Sequence, residues 1–195
     1  MLKKFWKGLT NHQGKTLLFS IIIFFICSCS YWHKPFLKFM IPEDYEGMIV
    51  ISWDQKNGTP VQKEGDYEVY KIPADGFLRT RMKARNMSPE DEKYFSYSAA
   101  KGIRMELEII DPGTYVDTAS ITKKNQLYKL GWLSVSDKYG QYAVFFVTRN
   151  KRSKFMDNAY REDYFKTHID SLFKAHQVKP SDKKNVLSVI NTLER

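Results

Sequence analysis

Cysteine is nearly absent from this chain, since its 195 residues contain two, Cys27 and Cys29, both near the N-terminus. The sequence beyond Cys29 therefore predicts a domain without disulfides, thiol nucleophiles or cysteine metal sites. Histidine is also scarce, with four in total, and the common phosphate-binding, serine-hydrolase, zinc-protease and dinucleotide-binding motifs do not occur. These absences argue against the familiar enzyme classes, and we expect no metal and no cofactor.

Acidic residues are missing from the first 15 positions, which carry four lysines. An apolar run follows over 17–26 and leads into Ile26-Cys27-Ser28-Cys29. A basic leader, a short apolar core and a small residue at a cleavage site are typical of a secretory signal. The last four residues resemble a bacterial lipobox, which implies that residues 1–28 are removed and that Cys29 receives lipid. The small Ser28 favours Cys29 over Cys27, which follows the large, branched Ile26.

Two alternatives to a lipid anchor stay open, an uncleaved transmembrane helix and an ordinary secreted protein. The uncharged stretch is 17 residues long, from Thr16 to Trp32, and a membrane span needs about 20. Two or more acyl chains, palmitate among them, give stable attachment because each buried CH₂ contributes about 0.8 kcal/mol. We expect a lipid-anchored extracytoplasmic protein of the cell membrane or outer membrane, with a single-pass membrane protein as the alternative.

Net charge is +9 for the whole chain, from 31 basic and 22 acidic residues, and falls to +5 without the four leader lysines. This modest excess suits an anionic envelope polymer or membrane surface, and an exported chain without a dense basic patch is not expected to bind nucleic acid. One basic pattern is unusual, because four alternate residues would share one side of an extended strand. These residues are Arg79, Arg81, Lys83 and Arg85. They either contact an anionic envelope surface or, as we favour, pair with the acidic side of the strand at 103–109.

Six apolar or alternating runs predict strands, at 48–53, 67–72, 77–85, 103–109, 126–135 and 141–148. Apolar residues recur at helical spacing from Ser153 to His176, and Ser181 is the expected N-cap of a second helix. We expect an α+β fold, an antiparallel β-sandwich of six or seven strands with two C-terminal helices packed on it. The expected organisation is a signal peptide over 1–28, a lipidated tether over 29–40 and one domain over 41–195, β-rich at 41–150 and helical at 153–195.

A resemblance appears in two blocks, Ile41-Pro42-Glu43-Asp44-Tyr45-Glu46-Gly47 and Tyr67-Glu68-Val69-Tyr70-Lys71-Ile72-Pro73-Ala74-Asp75-Gly76. They resemble an uncharacterised domain family of small bacterial lipoproteins, with the pattern IP-x-x-Y-x-G followed by Y-x-I-P-x-x-G. Tyr142 to Val147 also suits that family. The same blocks are similar in style to transthyretin-like, or prealbumin-like, sandwiches. The resemblance implies an envelope address and a β-rich fold, and it implies no activity and no catalytic residue.

Three residue sets invite a chemical interpretation. His168 and His176 lie eight residues apart on the predicted helix, about 12 Å, which is too far for one metal ion. Glu106 and Glu108 share a strand face about 6.6 Å apart, as glycosidase carboxylates can, but the alternation around them is typical of a solvent-facing side. Five aromatic residues suit either a ligand groove or, as we favour, packing. They are Tyr115, Tyr128, Trp132, Tyr139 and Tyr142.

The sequence therefore favours a non-catalytic protein with a binding or structural role at the cell envelope. Its expected partners are the membrane, through the lipid on Cys29, and an envelope protein or anionic envelope polymer. Two alternatives remain, an envelope hydrolase whose site shows no sequence motif and an inhibitor or immunity-type lipoprotein. A pocket that holds His168 or Glu106 beside a second polar catalytic group would favour the hydrolase.

Overall fold

A computed structural model describes residues 36–84, 89–98, 100–110, 125–137 and 140–178. Nine strands form one mixed sheet, in the order β3-β4-β1-β6-β7-β8-β9-β2-β5. Their bounds are β1 Phe36–Pro42, β2 Gly47–Ser52, β3 Gln62–Glu64, β4 Tyr67–Lys71, β5 Phe77–Arg79, β6 Glu92–Ser98, β7 Ile103–Ile110, β8 Gln126–Asp137 and β9 Gly140–Thr148. Short 3₁₀ helices span Pro89–Asp91 and Lys154–Met156, and one α-helix, α1, spans Asn158–Ala175.

The predicted antiparallel sandwich is wrong. The strands form a single sheet that curls into a half-barrel, and several neighbours are parallel: β1 with β4 and β6, β2 with β5, and β7 with β8. The curl brings distant strands together, since Trp53, just after β2, makes an edge-on ring contact of 5.3 Å with Tyr70 on β4. Curling buries one face against itself, so no second sheet is needed to enclose the core.

The expected pair of C-terminal helices is also corrected. The described residues contain one α-helix, and the second helix expected from Ser181 lies outside them. Helix α1 begins where the Asp157 carboxylate caps the backbone N–H groups of Ala159 and Tyr160. It ends beside Gln177, whose φ of +51° is left-handed and stops the helical path. Within the described part of the chain, no helix is long and apolar enough to cross a membrane.

Two hydrophobic clusters lie on opposite faces of the sheet. The inner cluster fills the concave side and centres on Phe39, whose ring stacks at 5.2 Å on Tyr70 and at 4.9 Å on Tyr94. The outer cluster forms where α1 packs on the convex side of β8, β9, β2 and β5 through Phe165, Ile169 and Phe173. Their spacing of four residues puts these three side chains on one helix face.

The outer face of the sheet is divided into two halves. We call β8, β9, β2 and β5 the covered half, because α1 lies on its outer face. We call β4, β1, β6 and β7 the bare half, because no element in the described ranges packs on its outer face. The apolar β2 is buried at every position and the alternating β7 is exposed at Arg104, Glu106 and Glu108. The alternation at 103–109 therefore correctly predicted a strand, with Leu107 buried on its inner face, but Ile109 on that face is 38% exposed.

Three strands were not expected from the sequence. β1 begins at Phe36, inside the segment assigned to the tether, and lies in the middle of the bare half. β3 and β6 are the other two. The predicted strand at 77–85 ends at Arg79, because the chain bends at Arg81 and Met82.

Candidate functional site

The helix pocket is a cleft of about 340 Å³ between α1 and two turns of the sheet. Its sheet wall comes from Tyr45 in the β1–β2 turn, Met48 at the start of β2 and Asp75 in the β4–β5 turn. Its helix wall comes from one face of α1 and the residue that follows it. That wall consists of Tyr164, His168, Ser171, Leu172, Ala175 and His176. The pocket therefore lies at the edge of the outer cluster, where the helix leaves the sheet.

An aspartate–histidine pair closes one end of the pocket. His176 Nε2 lies 2.8 Å from Asp75 Oδ2, and the backbone N–H of Phe77 donates to Asp75 Oδ1 at 3.1 Å. The His176 imidazole also stacks on the Phe77 ring, with centroids 4.1 Å apart and planes 15° apart. A backbone bond and a ring stack thus fix both partners, and the pair ties the end of α1 to the β4–β5 turn.

A glycine makes room for the tyrosine at the base of the pocket. Gly76 has a φ of +81°, and a Cβ at this position would overlap the Tyr45 hydroxyl and the Met48 carbonyl oxygen. Tyr45 donates its hydroxyl hydrogen bond to that same carbonyl. Burial raises the pKa of Tyr45, and the neighbouring Tyr164 and Asp75 raise it further. The phenol therefore stays protonated and acts as a donor.

The other end of the pocket is formed by a second ring stack. The His168 imidazole lies on the Tyr164 ring, with centroids 3.7 Å apart and planes 9° apart. His168 Nδ1 is 2.8 Å from the Tyr164 carbonyl oxygen, which only accepts, so we assign the ring hydrogen to Nδ1. Nε2 is then the acceptor of the neutral ring.

The hydroxyl groups of the pocket are held by backbone carbonyls. Ser171 donates to the His168 carbonyl oxygen at 2.9 Å, one turn back along α1, and Tyr45 donates to that of Met48. A serine nucleophile needs its hydroxyl within hydrogen-bond reach of the catalytic imidazole. Ser171 and Tyr45 do not have that arrangement with His176.

The structure separates the four residues of the predicted basic strand. Arg79 donates to the carbonyl oxygen of His176, below the pocket, and Arg81 Nε donates to the Gly58 carbonyl oxygen at 3.1 Å. Lys83 is exposed, and Arg85 lies outside the described residues. Pairing of this segment with the 103–109 strand is wrong, because β8, β9 and β2 lie between β5 and β7. Contact with an anionic surface stays a prediction.

The remaining predicted candidates lie away from the pocket, except for the two histidines. Glu106 and Glu108 are exposed on the outer face of β7, where Glu106 pairs with Lys93 at 3.4 Å, so their interpretation as a solvent-facing side is confirmed. Tyr128 and Tyr142 are buried in the outer cluster, which confirms packing for these two. Cys29, Tyr115 and Tyr139 lie outside the described residues, as does the Trp132 side chain. In the ranges described, no three His, Cys, Asp or Glu side chains group closely enough to hold a metal ion.

Sequence reasoning did not identify Tyr45 and Asp75 as site residues. Both stand in the quoted motif blocks, beside the turn glycines Gly47 and Gly76. The repeated Pro–turn–Gly pattern around both residues was the available signal, but it predicted only that two turns form there and did not indicate a site. The pairing of Asp75 with His176 spans 101 positions, a separation at which no local pattern predicts contact.

The sequence of residues 36–156 matches DUF6843, a family of unknown function. The chain belongs to this family. The matched residues contain the whole sheet and the sheet wall of the helix pocket, and they end two residues before α1. Family membership agrees with the resemblance to an uncharacterised domain family and assigns no activity to the pocket.

No curated protein matches the chain. Among solved structures, a candidate lipoprotein from Bacillus anthracis is similar with 16% sequence identity and a TM-score of 0.47, over 72% of this chain and 95% of that one.

Proposed function

We propose that this protein is an extracytoplasmic domain, held at a membrane by lipid on Cys29, that binds an envelope saccharide in the helix pocket without chemical turnover. The leader at 1–28 and the lipobox-like segment from Ile26 to Cys29 support the extracytoplasmic, lipid-anchored location. The arrangement of the helix pocket supports the binding role.

One observation carries the binding role: the pocket's polar groups are fixed by bonds within the protein and surround a space of about 340 Å³. Ligand sites in proteins measure about 300–1,000 Å³, so one or two sugar rings match this volume. Asp75 and His168 offer acceptors for sugar hydroxyls, and a carboxylate that receives two bonds keeps acceptor capacity. The rings of Tyr45 and Tyr164 supply apolar surface for the carbon–hydrogen side of a sugar.

The binding test titrates the protein with disaccharide–peptide fragments released from cell wall by a muramidase, with the histidine NMR signals as readout. We expect saturable shifts of the His168 and His176 signals. His168→Ala should weaken binding about tenfold, since a lost hydrogen bond and ring contact are together worth about 1.4 kcal/mol. Lys174→Ala, an exposed α1 change outside the pocket lining, should leave the affinity unchanged. Absence of saturable binding, or equal affinity of the two variants, would contradict the proposal.

The aspartate–histidine bond also favours a second candidate, an envelope hydrolase. Asp75 and His176 form a carboxylate–imidazole hydrogen bond such as a catalytic triad uses, here made to Nε2 where the triad uses Nδ1, and the pocket holds His168 as well. This candidate ranks second because the Ser171 hydroxyl donates to the His168 carbonyl oxygen and does not bond to the His176 imidazole. Turnover of fluorogenic esters or glycosides that is abolished by His176→Gln, with the fold retained, would reverse the order.

The anchor has its own test. Growth with a fatty-acid analogue should label the wild-type protein, and Cys29→Ser should lose the label and shift toward the soluble fraction. Label that persists on Cys27, or a mature chain that retains residues 1–28, would rule out Cys29 as the anchor.

A further inference from the structure

We propose that the outer face of the bare half lies on the lipid–water interface of the membrane that carries the anchor. This inference rests on the proposed lipid at Cys29 and adds an orientation to it. In that orientation the membrane lies under β4, β1, β6 and β7, and the helix pocket on the other half stays accessible from the aqueous side.

The bare face combines aromatic rings with basic side chains in adjacent rows. β1 is parallel to both neighbours, and its outward residues align with outward residues on β4 and β6: Phe36 with Tyr67, Lys38 with Lys93 and Met40 with Phe95. Phe36 is 38% exposed, one of three large apolar side chains that the described residues expose. Its ring lies 5.6 Å from that of Tyr67. Phe95 on β6 is separated from this ring pair by Lys38, whose amine lies over both Tyr67 and Phe95. We call Phe36, Tyr67 and Phe95 the aromatic strip.

Lysine amines lie over these rings. Lys38 Nζ is 4.5 Å from the Phe95 centroid, and Lys71 Nζ is 4.9 Å from that of Tyr97. Lys93 Nζ lies 5.8 Å from the Tyr67 centroid. Long basic side chains that rest their stems on apolar surface and keep their charge near water are typical of membrane interfaces, where aromatic residues are also enriched.

The charges of the bare face almost cancel, so its aromatic rings provide most of the proposed contact with lipid. Lys38, Lys71, Lys93 and Arg104 are offset by Glu106 and Glu108 on β7 and by Glu64 on the adjoining edge strand β3. Glu64 alone binds both Lys38 and Arg104, each at 2.7 Å. With one net positive charge, attraction to anionic lipid is worth about 1 kcal/mol. Binding of this face should therefore depend little on the content of anionic lipid.

The length of the connecting chain keeps this face within reach of the membrane. Six residues separate Cys29 from Phe36, and a fully extended chain covers about 3.3–3.6 Å per residue, or about 25 Å in all. β1 has seven residues, so the face is about 23 Å long at the usual strand rise. The anchor attaches at the end of the bare face where β1 begins, and it can reach the membrane with this face lying flat.

A lipid surface suits this face better than a second protein does. Protein interfaces are depleted in lysine and glutamate at their centres, and Lys38 lies in the middle of the bare face, bonded to Glu64 on the edge strand β3. The exposed outer side of α1, on the covered half, instead presents ion-paired polar residues such as Lys166 and Glu162. The aromatic strip is therefore the surface of the described domain that is suited to lipid.

The test places a fluorophore on single cysteines of the full-length, lipidated protein. Lipidation occupies Cys29 and cleavage removes Cys27, so an added cysteine is the single free thiol. Lys93→Cys on β6 and Lys71→Cys on β4 report the two strands of the bare face that flank β1. Lys166→Cys is the matched control, since Lys93 and Lys166 are each 45% exposed and each pairs with a glutamate. The protein is reconstituted in phosphatidylcholine vesicles, with and without an equal amount of phosphatidylglycerol, that contain a headgroup-nitroxide lipid.

We expect the nitroxide to quench the probes at positions 93 and 71 about twofold more strongly than the probe at 166, since interfacial contact places them within about 5–10 Å of the headgroups. The two vesicle compositions should give similar quenching. Equal quenching at all three positions, stronger quenching at 166, or quenching at 93 without 71 would overturn the flat orientation. Shielding of positions 93 and 71 from both nitroxide and aqueous iodide would show that a second copy of the chain covers this face instead, and it would overturn the proposal. Failure to float with vesicles would contradict the anchor itself.

Discussion

The covered and bare halves of the sheet share one concave core, but they differ on the outside. In the covered half, β2 is buried on both faces between the inner cluster and α1. In the bare half, β7 buries Leu107 inward and exposes Arg104, Glu106 and Glu108 outward. The difference shows that one continuous sheet can supply a rigid base for a pocket on one half and a separate contact surface on the other. The same substitution should therefore have different consequences in the two halves.

The largest expected difference between the halves concerns phenylalanine. Phe173→Ala removes a ring that is 1% exposed and that contacts Phe77 and Tyr142 beneath α1. We expect the free energy of unfolding to fall by about 3–5 kcal/mol. Phe36→Ala, on the bare face, should lower it by about 1 kcal/mol or less because the ring is already partly in water. Urea unfolding measures both values, and equal losses would contradict the division of the sheet.

A buried ion pair joins the two halves across the inner face. Glu92 on β6 pairs with Lys129 on β8, their side chains 5% and 16% exposed, and Tyr94 donates to the same carboxylate at 2.6 Å. Glu92→Gln removes the carboxylate that pairs with the mostly buried Lys129 charge, so we expect a loss of about 3 kcal/mol. Urea unfolding again measures it. The double variant Glu92→Gln with Lys129→Met should recover much of the lost free energy of unfolding. No recovery in the double variant would show that the Glu92–Lys129 ion pair is not the cause of the loss.

Glycines in comparable turns allow a matched test of the pocket base. Gly76→Ala combines a φ of +81° with overlap of Tyr45 and the Met48 carbonyl oxygen, and it should lower the free energy of unfolding by more than about 2 kcal/mol. Gly65→Ala also has a positive φ, +59°, but its Cβ would meet nothing within 4 Å, so about 1 kcal/mol is expected. Thermal unfolding compares the two. A larger loss at Gly65 would show that close packing of Tyr45 does not shape the pocket.

The smallest expected effect concerns the ion pairs of the bare face. The pKa of Glu64 is lowered by hydrogen bonds from Lys38 and then Arg104. Because this folded-state pKa lies below the unfolded value, the stabilisation is complete above the unfolded pKa and is lost as the pH falls through the folded pKa. Glu64→Gln should therefore lower the free energy of unfolding at neutral pH by less than about 1 kcal/mol, because the group is exposed. The corresponding fall in Tm is small. The Tm difference from wild type should shrink in acid, and a difference that grows in acid would contradict this assignment.

Local sequence patterns predicted individual strands better than their arrangement. The apolar run of β2 and the alternation of β7 are properties of single segments, and both were identified correctly. The parallel pairing of β1 with β4 and β6 depends on contacts between distant segments, and β1 follows the signal-like leader so closely that it was assigned to a tether. The curl was missed for the same reason, because the contact between Trp53 and Tyr70 has no local signature.

The candidate site was predicted only in fragments. The Asp75-Gly76 turn and the helix that contains His168 both follow from the sequence. Their meeting depends on where α1 packs, which is decided by the fit of Phe165, Ile169 and Phe173 to the outer face of the covered half. The alternating basic residues at 79–85 were interpreted as one side of an extended strand that pairs with a neighbouring strand. Arg79 instead donates a hydrogen bond to the His176 carbonyl oxygen at the end of α1.

The central claim is that the two halves face different surroundings in the anchored protein. Lysine acylation of the wild-type protein in vesicles, read by mass spectrometry and normalised to the denatured chain, tests it without any substitution. Lys93 and Lys166 have equal side-chain exposure, 45%, in the structure, and each rate is compared between detergent-solubilised and vesicle-bound protein. The account predicts that vesicles slow the modification of Lys93, together with Lys71, and leave Lys166 unchanged. Slower modification of Lys166 in vesicles, or an unchanged rate at Lys93, would contradict it.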